Sequence, residues 1–345
     1  MNSIYKNILV VRFSSLGDVV LTTPVFAALR QALPQAKIAV LTKSQYQDIF
    51  ANNPNINEIL TLERQENLAN LISRVRKNKY DLIIDLHSNL RSHVLGFAAG
   101  TKVIHYDKQS FNRYALLHFK QGHTALQKSV VQRYLETLGI LGPLPGHPDT
   151  KIYLTEKEIR VAQVSLEQYG IRPDDLVIGL NPGAKWETKK WPLSNWLEFI
   201  NLCQSKKLKL LLFGDSADQI FISKLLKEAG DIRDTVINLA GKTDLRQLCA
   251  LIRQCRVLVT GDSGALHIAQ ALSVPVLVLL GPTVPEFGFI RSRRKDIILF
   301  KELPCRPCSL HGTNSCHRGD RLCLAGLSAK EVFESLLEQL KADGR

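Results

Sequence analysis

The sequence predicts an α/β protein built from two doubly wound halves, and three observations carry that reading. Short β-branched runs recur along the chain: "ILVVR", "KIAVLT", "DLIIDL" and "KVIHY" first, then "LVIGLN", "LKLLLF", "TVINL", "RVLVT" and "VPVLVLL". They are strongly apolar and bounded by Gly, Pro or Asp, which suits strands buried on both faces of a parallel sheet. The stretches between them, such as "PVFAALRQAL" and "LRQLCALIRQC", carry apolar residues at helical spacing. Finally, a length of 345 residues favours two domains over one.

The boundary is written in "LGPLPGHPDTKIY", residues 141–153, with its three prolines and two glycines. We therefore expect an N-terminal domain over 1–150 and a C-terminal one over 151–327, the latter including a cysteine-bearing segment at 305–323. A closing helix is expected over 328–345. The second domain opens with "TEKEIRVAQVSLEQYG", a helix whose Thr155 and Glu158 have capping-box spacing. Two parallel sheets joined by a linker imply a crevice, because ligands bind beyond the carboxyl ends of such strands.

Composition narrows the class. With 45% hydrophobic and 22% charged residues the chain is an ordinary globular one. Its formal net charge of +13 favours a polyanionic partner (nucleic acid, an anionic membrane face or a phosphorylated substrate) over a merely basic solvated surface. The densest basic run, "RSRRK" at 291–295, is short and lacks interleaved aromatics, so a nucleic-acid partner is not expected. The N-terminal apolar stretch is too short for a signal peptide, and no segment reaches the roughly 18 apolar residues of a membrane span. A cytoplasmic protein is expected, touching a membrane only from the side. Its seven cysteines should then be thiols or metal ligands.

The most informative stretch is "VLVTGDSGALHIAQALSVPVLVLLGPT", 257–283. It reads as strand, short loop, helix and second strand. The loop places Asp262 or Ser263 at a helix N-cap with Gly264 next to it, so that the first amides and the helix dipole favour an anion such as a diphosphate. Ser263 and His267 fall on one helix face; an ordinary cap with a packed histidine is the alternative. A second loop, "NPGAKWETKKWPLSNW" at 181–196, brings Lys185, Lys189 and Lys190 to the same sheet edge. An ammonium there neutralises a phosphate leaving group. No GxGxxG, P-loop or DxD pattern occurs, so neither a dinucleotide fold nor a carboxylate-held metal is expected, and no cofactor is assigned. In "LFGDSADQ", Asp218 is either a ribose ligand or an exposed loop acid.

The first half poses a puzzle. In "RFSSLGDVV", residues 12–20, a strand leads through a glycine loop into a helix, an arrangement that usually seats phosphate, yet Asp18 stands there. Further on, "DLHSNLRSH" at 85–93 offers His87, Asn89 and Arg91, and Arg113 follows in the next basic stretch. Arginine grips carboxylate and phosphate bidentately, although each of these residues also suits an ordinary surface.

Together "ILVVRFSSLGDVVLTTPVFAALR", "NPGAKWETKKWP", "DSGALHIAQALSVPVLVLLGPT" and the cysteine-bearing "CRPC" segment resemble the family 9 glycosyltransferases, the ADP-heptose:lipopolysaccharide heptosyltransferases, across nearly the whole chain. The cysteine segment looks more like the second heptosyltransferase than the first. The resemblance implies a GT-B fold, with two Rossmann-like domains facing a central cleft. It also implies inverting, metal-independent transfer of heptose from ADP-heptose to the anionic, lipid-linked inner core of lipopolysaccharide, at the cytoplasmic face of the inner membrane. On that analogy Asp18 is the general base and not a phosphate ligand. Thr188, Lys189, Asp218, Asp262, Ser263, Gly264 and His267 serve the donor; His87, Asn89, Arg91 and Arg113 serve the acceptor. Another ADP- or UDP-sugar donor on the same fold is the alternative. Cys305, Cys308, Cys316 and Cys323 are unligated thiols, a structural Cys₄ metal site or disulfide partners.

Overall fold

The structure is a computed structural model describing residues 5–122, 124–144, 146, 148–230, 232, 235–290 and 293–342. Arg291 and Ser292 of the basic run, and Pro145 and His147 of the proline-rich joint, lie outside the described residues. The chain divides into two compact units, residues 1–112 with 124–153, and residues 113–123 with 154–345.

The first unit is a five-stranded parallel sheet in the order β3-β2-β1-β4-β5. Its strands are β1 (Asn7–Val11), β2 (Lys37–Lys43), β3 (Glu58–Leu62), β4 (Leu82–Asp85) and β5 (Lys102–His105). The helices are α1 (Leu16–Leu21), α2 (Thr23–Ala32), α3 (Leu68–Lys77), α4 (Leu90–Ala99), α5 (Ser110–Phe119), which runs on into the second unit's segment, and α6 (Val130–Glu136). Central strands are apolar on both faces because helices cover both: β4 is buried along its whole length, whereas edge strand β5 is not. Leu9, Val11, Leu41, Ile83 and Leu95 meet in one of its buried clusters. The strand order reverses between β1 and β4, which makes their carboxyl ends this sheet's switch point.

The second unit holds six parallel strands in the order β11-β10-β9-β6-β7-β8. They are β6 (Val177–Asn181), β7 (Lys209–Leu212), β8 (Val236–Asn238), β9 (Val257–Gly261), β10 (Val276–Leu279) and β11 (Ile297–Leu299). The helices are α7 (Glu156–Gln168), α8 (Leu193–Ser205), α9 (Gln219–Glu228), α10 (Leu245–Gln254), α11 (Gly264–Ala271), α12 (Leu322–Ala325) and α13 (Ala329–Ala342). The closing helix α13 sends Val332, Phe333 and Leu336 into the core formed by Trp196, Phe199 and the sheet. Trp191 packs edge-on against Trp196 and donates its indole N–H to the Leu327 carbonyl at 3.0 Å. Here the switch point lies between β6 and β9.

The Thr155–Glu158 capping box forms: the Thr155 amide donates to Glu158 at 2.7 Å and the Glu158 amide to Thr155 Oγ1 at 3.2 Å. Glu158 also takes a two-point contact from Arg246 on α10, at 2.7 and 2.8 Å, so one carboxylate caps α7 and ties it to its neighbour. Two short strands, β3 and β11, were not among the predicted runs. Both lie at sheet edges, where "EILTL" buries only Leu60 and Leu62 and "IIL" spans three residues only.

Candidate active site

At the switch point of the second unit, β9 ends at Gly261 and α11 starts after Ser263, its N-cap residue. No side-chain hydrogen bond closes that cap. The Ser263 hydroxyl turns instead to Thr260 Oγ1 at 3.0 Å and Asn181 Nδ2 at 3.3 Å, leaving the first-turn amides of α11 without a side-chain acceptor. Asp262 does not cap the helix. Its Oδ2 receives the Lys189 ammonium at 2.6 Å and the Thr283 hydroxyl at 3.1 Å. Burial alone would push this carboxyl up, but Lys189, with His267 and Thr283, brings it below its ordinary value. His267, one turn into α11, is 5% exposed.

The 187–190 turn lies close over this loop. A Cβ at Gly261 would press on the Lys189 carbonyl at 3.2 Å, so a side chain there would have to push the 187–190 turn aside by a few tenths of an ångström. Lys190 pairs with Glu187. Asp218 follows β7 and seats its carboxyl where a Cβ of Gly183 would stand, 2.1 Å from Cγ. Burial pushes its carboxyl up, which suits a group that shares hydrogen bonds with hydroxyls. Thr188 is engaged on both sides of its hydroxyl, donating to the Thr313 carbonyl and accepting from the Thr313 amide, each at 2.8 Å.

At the switch point of the first unit, the loop after β1 presents Asp18 at the third position of α1. Its Oδ2 accepts the Ser15 amide at 3.0 Å and the Ser15 hydroxyl at 2.7 Å, and it pairs with Arg12 at 2.8 Å. Arg12 also donates to the Leu86 carbonyl beyond β4 at 2.5 Å, so one guanidinium ties the ends of β1 and β4 together and holds Asp18. His87 follows at once, edge-on to Phe13, and burial followed by Arg12 and Lys108 pushes its imidazole down to about 4. Asn89 caps α4 by accepting the Ser92 amide, and Arg91 donates to the Glu66 carbonyl at 3.0 Å. Arg113 falls in the second unit, where its guanidinium stacks on Phe289.

The profile of glycosyltransferase family 9 (heptosyltransferase) matches residues 68–316, well over half of the chain. The chain belongs to glycosyltransferase family 9. Curated relatives include the lipooligosaccharide heptosyltransferase 2 of Haemophilus ducreyi, 29% identical over 84% of this chain and 88% of the relative. The lipopolysaccharide heptosyltransferase 2 of Escherichia coli K12 is 26% identical over 84% and 87%. Among solved structures, a family 9 glycosyl transferase from Veillonella parvula superposes with a TM-score of 0.83, at 24% identity and covering 99% of each chain. The E. coli ADP-heptose lipopolysaccharide heptosyltransferase II gives 0.79, at 23% identity over 98% and 100%. The fold is that of the GT-B heptosyltransferases, and this family 9 protein is a glycosyltransferase.

In this family 9 enzyme the cysteine segment braces the carboxyl edge of the second unit's sheet beyond β10. The Cys308 amide donates to the Pro282 carbonyl at 3.1 Å, just after β10, and Arg306 donates to the carbonyls of Gly281 and Thr283 at 2.6 and 2.8 Å. No disulfide joins any of the seven cysteines, and burial pushes Cys323 up to about 11. Sequence reasoning missed Arg12, Thr283, Arg306 and Thr313, each a partner of a loop it did single out. Only Arg12 carried a signal, a cation inside an otherwise apolar run.

Proposed function

We propose that this glycosyltransferase moves heptose from ADP-L-glycero-D-manno-heptose to the inner core of lipopolysaccharide, with inversion and without a metal. The observation that carries this reading is what stands at each sheet's switch point: a carboxylate clamped by arginine in the first unit, and an open helix N-terminus beside Lys189 in the second. The names of the heptosyltransferase 2 relatives support heptose and lipopolysaccharide, and that of the E. coli heptosyltransferase II structure supports the ADP-heptose donor.

In this mechanism Asp18 takes the proton of the acceptor hydroxyl. The freed oxygen bonds to the anomeric carbon as that carbon's bond to the diphosphate breaks. ADP leaves with the electron pair, and the anomeric configuration inverts. Lys189 and the first amides of α11 meet the charge that grows on the leaving diphosphate, the work a metal does elsewhere. Asp262 holds the Lys189 ammonium in place before the donor arrives and takes sugar hydroxyls afterwards. Asp218 serves the ribose, and Ser263, Gly264, His267 and Thr188 complete the donor side. His87, Asn89, Arg91 and Arg113 serve the phosphorylated acceptor. The enzyme works at the cytoplasmic membrane face.

Mixing the protein with ADP-heptose and truncated core acceptors, then reading product mass, tests the proposal. One added heptose is expected, and Lys189→Ala should weaken donor binding at least tenfold. Transfer from a UDP-sugar with none from ADP-heptose would assign the fold to another donor.

A further inference from the structure

The β4–α4–β5 crossover of the first unit gathers three ligand-type side chains that the transfer chemistry leaves unused. Asp85 is the last residue of β4 and His105 the last of β5, and the two are direct register partners in the parallel ladder. Neighbours in register project to the same side, so a carboxylate and an imidazole emerge together at the carboxyl edge. His93, on the first turn of the connecting α4, lays its ring over His105 with centroids 4.2 Å apart. One ligand atom from each of the three lies within 4.8 Å of the others, the only such set among the described residues.

The carboxylate is unusually well fixed. Asp85 is 1% exposed; its Oδ1 accepts the His87 and Ser88 amides at 2.9 and 2.8 Å, and its Oδ2 accepts the Ser92 hydroxyl at 2.7 Å. His105 Nδ1 stands 3.1 Å from that Oδ2, while both histidines are exposed to solvent. Two ligands of one tetrahedral ion, each at about 2.0–2.2 Å, lie roughly 3.3 Å apart, so this spacing is already close to what an ion between them requires.

We propose that Asp85, His93 and His105 form a binding site for a divalent borderline cation of the zinc, cobalt or nickel kind. Two imidazoles with one carboxylate select such ions over magnesium or calcium, which take oxygen ligands. The solvent-facing side leaves water as the fourth ligand. The bound ion staples edge strand β5, whose burial is only partial, to the helix that crosses to it. Through Asp85 it also fixes the 87–88 backbone. No step of sugar transfer runs through it.

The test is a Co²⁺ titration of the full-length protein read by visible absorption. The expected result is one site with ligand-field bands of nitrogen and oxygen ligation, weakened more than about tenfold by His93→Ala and by His105→Ala separately. The same ion should raise the melting temperature of the parent protein and not that of His105→Ala. Absence of binding, equal binding in both variants, or a spectrum made up only of sulfur-to-cobalt charge transfer, which places the ion on the cysteines, would overturn the assignment.

Discussion

Asp18 does two things at once: it belongs to the capping box of α1, and it faces a guanidinium that bridges two strand ends. The proposed chemistry separates them. Asp18→Asn retains an oxygen for the Ser15 amide but leaves the buried Arg12 guanidinium without its carboxylate, which should cost about 3–5 kcal/mol of stability. Turnover should fall by roughly 10²- to 10⁴-fold if this carboxylate is the base. Near-parental turnover with ADP-heptose would remove Asp18 from the mechanism. His87 is the other titratable group at this edge, and it makes a poor base. With its value pushed down to about 4 it stays neutral while an ordinary histidine charges. Because that value lies below the ordinary one, His87 contributes stability that is present above about pH 6.5 and is lost as the pH falls towards 4. A ¹⁵N-edited NMR titration should find its ring neutral at pH 5.5. A midpoint near 6.5 would contradict the burial described for it.

At the scale of elements, Glu158 and Arg246 are the clearest lever. The contact from Arg246, opposed in part by burial and helped by Thr155, brings Glu158 down to about 2. The stability it lends exists above about pH 4.5 and is lost as the pH drops towards 2. Arg246→Met should lower the melting temperature at pH 7 by a few degrees and have no effect near pH 2; an equal shift at both values would show that packing, not charge, was removed. Most elements were legible because central strands such as β1, β6 and β9 are buried on both faces and therefore written as unbroken apolar runs. Edge strands are only partly buried and less evenly written: β3 and β11 were hidden, while the edge strands β5 and β8 were legible from "KVIHY" and "TVINL". The "GDSG" and "WETKKWP" loops were legible as neighbours at one sheet edge, where Lys189 meets Asp262. What could not be read was pairing across long sequence separations: Lys189 with Asp262, Thr188 with Thr313, and Arg12 with Leu86 depend on strand order, which no local pattern encodes.

For the whole molecule, the +13 charge favours an anionic partner. No helix among the described residues is long and apolar enough to cross a membrane, yet α4 turns Leu90 and Phe97 outward, 81% and 91% exposed, with Val94 between them on the same face. Apolar side chains that dip into the headgroup region, aided by basic charge, suit reversible attachment. Binding to vesicles containing anionic phosphatidylglycerol should therefore exceed binding to neutral vesicles and weaken several-fold between 50 and about 300 mM salt. Phe97→Ser should reduce it at every salt concentration; unchanged binding would exclude α4 as the contact. The second unit, meanwhile, is not one continuous stretch of chain, because residues 113–123 join it from far upstream, with Lys120 donating to the carbonyls of Cys305 and Pro307. Anyone exchanging halves between relatives to swap specificity would find that a single crossover in the proline-rich joint imports a foreign strap. Chimaeras that inherit 113–123 together with 154–345 keep that strap with its own anchor.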